Sequence, residues 1–527
     1  MYRKVLLFSS WCILTLAVGA QQRAGQWQVV DLPFEANQTV SQPFDEAFGA
    51  VIRHEDGDVL RVPGFYNGRK QWVLRFAPEK PGRWSITTYS SLAELAGQER
   101  SLLVTPPTKN DEHGPIIIDP KNPKRFAYAD GTPYHLMAYE LDWLFALDWQ
   151  NKSGIPRTEN IIDYVQSYGF NQVVMNVYAY NAQWGQHEAI QPEHDFREPK
   201  TYPFLGTNDN PDYSALNISF FQHLDRVMAH LDEVEMIAHL MIYVWNKKVN
   251  WPAPNSKADN LYFDYVVKRY QAFPNLVWDI SKEALAYGRD DMGYITERIN
   301  RLRKLDAHDR LVSVHDYTYC QAYPGKVDFI SIQEWKPNLY DGMREVAARH
   351  PDQPIFNIEH GGYETTIHEI FGGAYNDPLI CLDRNYQCVF AGTYSTHYWQ
   401  NTSWHEVVHN PKDLPAESQP HLSWFKHLMS LMDAYDYDKL SPYQNAFTPW
   451  GLTDPSSSLY LFYMPPGLLR VTGTVHELKD KTVAISWFNP LTGELKAGGE
   501  KTFDQGTWLG LAKDPSWSNA VCILEVQ

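Results

Sequence analysis

Cysteine is almost missing from this chain. There are five in 527 residues, and one of them, Cys12, sits inside an apolar N-terminal stretch. The other four, Cys320, Cys381, Cys388 and Cys522, are too few to frame a chain of this length with disulfides. Cys381 and Cys388 fall in a segment read as helical, where residues seven apart lie roughly 10 Å from one another, beyond the reach of an S–S bond. Positive charge is also in deficit. Lys and Arg number 46 against 63 Asp and Glu, a formal charge of −17. That balance removes the phosphate attraction on which nucleic-acid binding depends and gains nothing from an anionic bilayer. Beyond the N-terminus no apolar run is long enough to cross a membrane.

The N-terminus itself reads as a secretory leader. Arg3 and Lys4 precede an apolar stretch from Val5 to Val18, and Val18-Gly19-Ala20 supplies the small residues of a cleavage site. The expected cut is near Ala20, which leaves a secreted or periplasmic protein. Cys12 lies within the apolar stretch and has no lipoprotein-like setting, so no lipid anchor is expected.

Aromatic residues are abundant, with 18 Trp and 32 Tyr. Such faces fill cores, and they also suit the C–H faces of sugar rings. Residues 21–107 read as all-β, a small sandwich. Gln71–Phe76 and Arg83–Tyr89 alternate in polarity, and Glu55-Asp56-Gly57-Asp58 and Pro78–Gly82 form turns. Residues 108–442 change character. Short β-rich runs alternate with helical ones, the rhythm of βα units. Eight strands are predicted: His135–Leu141, Gln172–Tyr180, Ile237–Asn246, Leu276–Ser281, Leu311–Tyr317, Phe329–Trp335, Ile355–Glu359 and Gly392–Trp399. One intervening helix carries Leu216, Phe220, Leu224, Val227, Met228 and Leu231 on a single stripe. Together these predict a (β/α)8 TIM barrel. Residues 443–527 return to β character, with strands at Ser458–Tyr463 and Thr482–Phe488. The fold class expected is thus multidomain α/β plus all-β, a central barrel flanked by two small β-sandwiches.

Strand parity sharpens the picture. Alternate residues of a barrel strand face the interior. Two strands each end on a carboxylate, Leu276 through Glu283 and Ile355 through Glu359. If Glu283 points inward, so do Asp279 and Ser281, while Trp278 and Ile280 face the helices. The same alternation turns Asn176 and Tyr178 inward on strand two, His315 and Tyr317 on strand five, and Ser331, Gln333 and Trp335 on strand six. Glu334 then faces outward. Two carboxylates at the C-terminal ends of barrel strands are what cleavage of a glycosidic bond requires. His315 and Asn176 are candidate partners for substrate hydroxyls, and Trp335 and Trp399 are candidate stacking platforms.

One motif points elsewhere. His405-Glu406-Val407-Val408-His409 matches the zinc-peptidase pattern, in which a helix sets two histidines on one face with a glutamate as base. Asn410-Pro411 follows at once and would cut such a helix short. A zinc metalloprotease is therefore one alternative, and a non-catalytic glycan-binding protein is another.

Phe126–Pro133 ahead of strand one, Leu141-Asp142-Trp143 at its end, Val277–Glu283 and Phe356–Glu359 resemble the apiosidase-like glycoside hydrolases, relatives of a large clan of retaining (β/α)8 enzymes. The front β-domain resembles an uncharacterised module that often precedes such barrels. The tail, with Tyr463–Gly467 and Trp487–Gly493, resembles a collagen-binding-type β domain. The resemblance implies that Glu283 is the acid/base and Glu359 the nucleophile, with a carbohydrate substrate and neither metal nor cofactor. It also places Asp142 at the substrate. One position departs from the clan: Lys282 stands where an asparagine usually binds the sugar 2-hydroxyl, and a lysine there either binds an acidic sugar or sulfate group of the substrate or points away.

Overall fold

The computed structural model describes residues 22–107, 112–181, 192–288, 291–364, 375–399, 404–445, 447–504 and 506–527. The expected leader, residues 1–20, lies outside them.

The front module is two facing sheets. One orders strands Gln22–Gly25, Glu99–Thr105, Gly82–Ser90, Phe48–His54 and Val59–Pro63; the other orders Val30–Glu35, Gln71–Phe76 and Phe65–Tyr66. Val30, Leu32 and Phe34 are buried while Asp31 and Glu35 are exposed, so one face of that strand enters a core with Ile52, Trp72 and Trp84. Gln71–Phe76 does not follow that alternation. Its far face is covered by the barrel, so Arg75 is buried as well.

The barrel has all eight expected strands, seven of them shorter than the predicted run and one, Leu276–Lys282, a residue longer. They are β1 (Ala138–Glu140), β2 (Gln172–Asn176), β3 (Ile237–Val244), β4 (Leu276–Lys282), β5 (Val312–His315), β6 (Ile330–Ile332), β7 (Ile355–Asn357) and β8 (Tyr394–His397). The order is β5-β4-β3-β2-β1-β8-β7-β6, every pair parallel. Side chains help close the remaining seam. The Asp328 N–H donates to the Val312 carbonyl at 2.9 Å, and the Ser313 hydroxyl donates to the Phe329 carbonyl at 2.9 Å. Helices α1 (Pro156–Gln166), α2 (Ile218–Glu233), α3 (Lys257–Tyr270), α4 (Met292–Leu305), α5 (Tyr317–Ala322), α6 (Leu339–Arg349), α7 (Pro378–Phe390) and α8 (Leu422–Ala434) return the chain. Asn217 caps α2, whose Phe220, Leu224, Val227, Met228 and Leu231 are all buried, as the predicted stripe requires. Cys381 and Cys388 both lie on α7, and all four described cysteines are free and buried. No helix of the described residues is long and apolar enough to cross a membrane.

The tail is a six-stranded antiparallel sheet, ordered Ser441–Tyr443, Trp450–Thr453, Leu459–Met464, Ala520–Val526, Thr482–Phe488 and Leu495–Thr502, with a two-stranded ribbon of Arg470–Val471 and Leu511–Ala512. Tyr463 stacks on Tyr386 of α7 at 4.3 Å, which ties this sheet to the barrel.

A buried ion cluster joins the front module to the barrel. Arg75 donates to Asp31 at 2.7 and 2.8 Å and to Asp225 of α2 at 3.0 and 3.2 Å. Arg269 of α3 donates to the same Asp225 at 2.8 and 2.6 Å. Burial pushes the Asp225 carboxyl upward, but the two guanidiniums outweigh it and hold it at about 2. Its contribution is therefore complete above the unfolded value of about 3.9 and is lost as pH falls toward 2. Asp225→Asn is expected to lower stability by about 3–5 kcal/mol, because two buried guanidiniums lose their shared anion. A urea or thermal midpoint at neutral pH measures this, and the deficit should shrink as the wild type is acidified.

Candidate active site

Each functional side chain is placed by a departure from regular strand geometry. β4 advances from Asp279 to Lys282 while its neighbour β5 advances only from Ser313 to His315. This is a β-bulge, one extra residue on one strand. Asp279 braces it. Its Oδ1 accepts from the Ser281 and His315 N–H groups, both at 3.0 Å, and its Oδ2 lies 3.0 Å from His239 Nε2. Trp278 lies before the bulge and faces the helices as expected, donating its indole N–H to Asp306 at 2.9 Å. After the bulge the alternation is reversed, and Lys282 turns inward, where strict parity would have sent it away. Glu283 then takes a left-handed backbone, φ 57°, uncommon for a residue with a Cβ. Two consecutive side chains thus reach one cavity.

That cavity, about 310 Å³, is lined among the described residues by Asn246, Lys247, Lys282, Glu283, Tyr287, Gln333, Trp335, Glu359 and Trp404. It lies at the C-terminal ends of the barrel strands. Glu359 follows β7 by two residues. Ligand atoms of Glu283, Glu359 and His315 all lie within 4.8 Å of one another. Tyr363 donates its hydroxyl to Glu359 Oε1, while Lys282 Nζ and His315 Nε2 stand 3.8 and 3.7 Å from Oε2. Trp335 lies against the backbone of Gly361, where a Cβ would come within 3.0 Å of the indole and the φ is +80°. Glycine is thus required both for space and for conformation at that point.

Beneath the cavity is a layer of buried charge. Lys282, 1% exposed, donates to Glu140 Oε1 at 3.0 Å and to Asp142 Oδ2 at 3.4 Å. Lys247 lies 3.6 Å from the same Asp142 oxygen, with the Trp143 and Trp404 rings at 5.5 and 5.4 Å from its ammonium. The pair of indoles contributes cation–π attraction to a desolvated charge. Burial works against the Lys282 ammonium, yet Asp142, Glu140 and Glu359 outweigh it and hold its pKa well above the ordinary value. Burial and the neighbouring Asp142 push Glu140 well upward. Burial also raises Asp142, but Lys282 and Lys247 reverse the sign, and its net shift is downward. His315 is held well below its usual range by burial and then by Lys282, so the imidazole is neutral. Glu283 is raised to about 7, first by burial and then by Glu359, against the pull of Lys282 and Lys247.

The residues expected at the site divide into three groups. Glu283, Glu359, Lys282, Gln333 and Trp335 line the cavity. Asp142, Asn176 and His315 lie beneath it, fully or nearly fully buried. Asn176 donates to the Asp142 carbonyl at 3.1 Å and so supports the loop rather than reaching a ligand. The third group is elsewhere. β2 ends at Asn176, so the alternation does not carry on to Tyr178, which packs among Phe145, Tyr202, Phe220 and Trp251. Tyr317 opens α5 instead of extending β5, and its hydroxyl meets His350 at 3.4 Å. Trp399 is 0% exposed and bridges Glu364 through backbone, so it offers no face for stacking. Trp404 takes that place at the cavity. Lys247, Asn246, Tyr287, Glu140 and Tyr363 were not anticipated. Glu334 faces outward as expected, pairing with Lys336 at 3.1 Å.

The zinc-peptidase motif is not a helix. Glu406 bridges Asp195, the Phe196 N–H donates to the His405 carbonyl, and the Val407 N–H donates to the His194 carbonyl. Among the described residues neither motif histidine belongs to a cluster of three or more ligating side chains. His405 lies edge-on to Trp143 and His409 edge-on to His194.

Residues 120–438 match the apiosidase-like catalytic domain. The chain belongs to the apiosidase-like family. By that membership it is a glycoside hydrolase. Residues 23–91 match the domain of unknown function DUF5060. No curated protein matches the chain. Among solved structures, a candidate glycoside hydrolase from Bacteroides vulgatus is similar over 96% of this chain and 100% of its own, at 20% identity and a TM-score of 0.76. A family 5 glycoside hydrolase from the same organism is similar over 79% of this chain and 94% of its own, at 15% identity and a TM-score of 0.58. At these identities the likeness is one of fold.

Lys282→Met is expected to leave Glu140, Asp142 and Glu359 crowded without their common cation and to lower stability by about 3–5 kcal/mol, read from the thermal or urea midpoint. Glu283, which Lys282 now holds down, should titrate above its present value of about 7 when followed by carboxyl infrared or NMR shifts.

Proposed function

We propose that this apiosidase-like enzyme cleaves a glycosidic bond of a poly- or oligosaccharide with retention of anomeric configuration. Glu359 is the nucleophile and Glu283 the acid/base. The observation that carries this reading is the approach of the two carboxylates, whose oxygens come within 4.8 Å. Retention needs carboxyl groups roughly 5–5.5 Å apart, and inversion needs roughly 6.5–9.5 Å to admit a water.

The electrostatics support an order of events. With its pKa at about 7, Glu283 is protonated in a neutral or mildly acidic medium and donates to the leaving oxygen. Glu359 attacks the anomeric carbon and becomes an ester, so its negative charge disappears. That charge is one of the two causes raising Glu283, and its loss lets Glu283 ionise. The resulting carboxylate takes a proton from water, which attacks the same carbon and releases Glu359. Trp335 and Trp404 stand beside the carboxylates as faces for the sugar ring, and Gln333, Asn246 and Tyr287 as hydroxyl partners. The N-terminal sequence supports export, so we place the substrate outside the cytoplasm.

A panel of plant, algal and host polysaccharides supplies the test. Glu359→Gln is expected to lose turnover on whichever glycan the wild type cleaves, and Glu283→Gln to lose about 10²–10⁴-fold. Both should keep the wild-type circular dichroism. Proton NMR of the first product should show the anomer of the substrate; the opposite anomer, or a fully active Glu359→Gln enzyme, rejects the assignment. The alkaline limb of kcat/KM should fall as pH rises through about 7, where Glu283 loses its proton.

A further inference from the structure

The opposite end of the barrel holds a second group of ligating side chains. His135 stands three residues ahead of β1 and is 9% exposed. Its Nδ1 lies 2.7 Å from Asp433 Oδ1, in the last turn of α8. Its Nε2 points at Asp438 Oδ1, 3.6 Å away. Both of these atoms are buried and neither has a hydrogen-bond partner. Asp436, in a left-handed backbone at φ 50°, brings a further carboxylate, so one ligand atom from each of the three residues lies within 4.8 Å of the other two.

The arrangement has the chemistry of a metal centre. An Nδ1–H donated to Asp433 fixes the tautomer and leaves the Nε2 lone pair facing a carboxylate oxygen. Two acceptors facing each other out of water repel unless a cation stands between them. A proton shared across a hydrogen bond would draw the atoms to roughly 2.7–3.0 Å, well inside the observed gap. A zinc ion at about 2.0–2.1 Å from each ligand, at a tetrahedral angle, would hold them roughly 3.4 Å apart. A carboxylate that orients a histidine from behind is the usual support of a metal-bound imidazole. The other charges near the group are Asp119, Lys439, which pairs with Asp436 at the surface, and Arg125, whose Nε is 4.0 Å from Asp438 Oδ1 without a hydrogen bond. The two terminal nitrogens of Arg125 donate to the Gly392 and Leu440 carbonyls at 2.7 and 3.0 Å, so the guanidinium makes no direct hydrogen bond to the carboxylate.

We propose that His135, Asp436 and Asp438 bind a zinc ion, with Asp433 orienting the histidine. Imidazole among the ligands favours zinc over calcium or magnesium, which take oxygen donors. The ion clasps the segment between α8 and the C-terminal sheet to the start of β1. The site is independent of the proposed glycan chemistry and lies across the barrel from it.

The test uses the full-length protein, stripped with a chelator and then titrated with zinc chloride by calorimetry and thermal melting. One zinc per chain and a raised Tm are expected. His135→Gln should abolish both. Asp433→Asn, which keeps the metal ligands, should weaken binding about 10–100-fold. Glu359→Gln, in the other cluster of ligating residues among those described, and His405→Gln, in the peptidase-like motif, should bind zinc as the wild type does. No heat and no change in Tm with zinc would overturn the proposal, leaving His135 as an ordinary ion-pair partner of its aspartates. Zinc binding of wild-type affinity in both His135→Gln and Asp433→Asn would overturn it equally.

Discussion

The ammonium group of Lys282 is the fixed point of the candidate active site. Three carboxylates meet it within 3.8 Å, and one of them is Glu359. Buried charges of this kind are costly unless they are matched, and removing one partner strands the rest. The match here extends over six ionisable groups. Glu140 and Glu283, the two carboxyls that burial drives upward, are the ones suited to hold protons. Asp142, held downward by both ammonium groups, pairs with Lys282 and Lys247. Lys282 is the keystone of a salt-bridged layer beneath the cavity. Its partners, Glu140 and Asp142, come from the opposite wall of the barrel, so the layer also braces β4 against the segment that ends β1.

Much of this was legible in the amino-acid sequence. The βα rhythm located all eight strands, and five of the six stripe residues lie buried on α2, while Leu216 ends the strand just before it. The two glutamates stood out because each closes an apolar run on a polar group. Alternation failed wherever its physical basis ended. Tyr178 and Tyr317 lie beyond the last ladder hydrogen bond of their strands, where nothing keeps successive side chains on opposite faces. Lys282 lies inside a strand, but past a bulge. Nothing in the run Val277–Lys282 announces that bulge; the residue that makes it, Asp279, reads as one more inward-facing polar group. The Lys247 site was equally hidden, since Trp143 and Trp404 meet only when the barrel closes. The peptidase-like pentapeptide shows the reverse case, a local pattern without the helix that would give it meaning.

The flanking modules are bound to the barrel by different means. At the front, Gln71–Phe76 is a strand with two buried faces, one in its own sandwich and one on α2 and α3 through Arg75. At the back, the contact is largely aromatic, with Tyr463 on Tyr386 and Trp450 on Tyr340, joined by a contact of His427 with the Pro490 carbonyl at 3.0 Å. The front joint rests on paired charges and the back joint mainly on stacked rings.

The extra residue in β4 has a consequence for how relatives are compared. Because it delivers two neighbouring side chains to one cavity, sliding an alignment by a single position exchanges a fixed cation with a carboxyl group. Both placements look plausible on paper, since each puts a charged residue at the strand end. An insertion or deletion between Asp279 and Glu283 would do the same in the molecule itself. At this point of the chain a change of side chain and a change of length therefore differ in kind, since only the second displaces both groups at once.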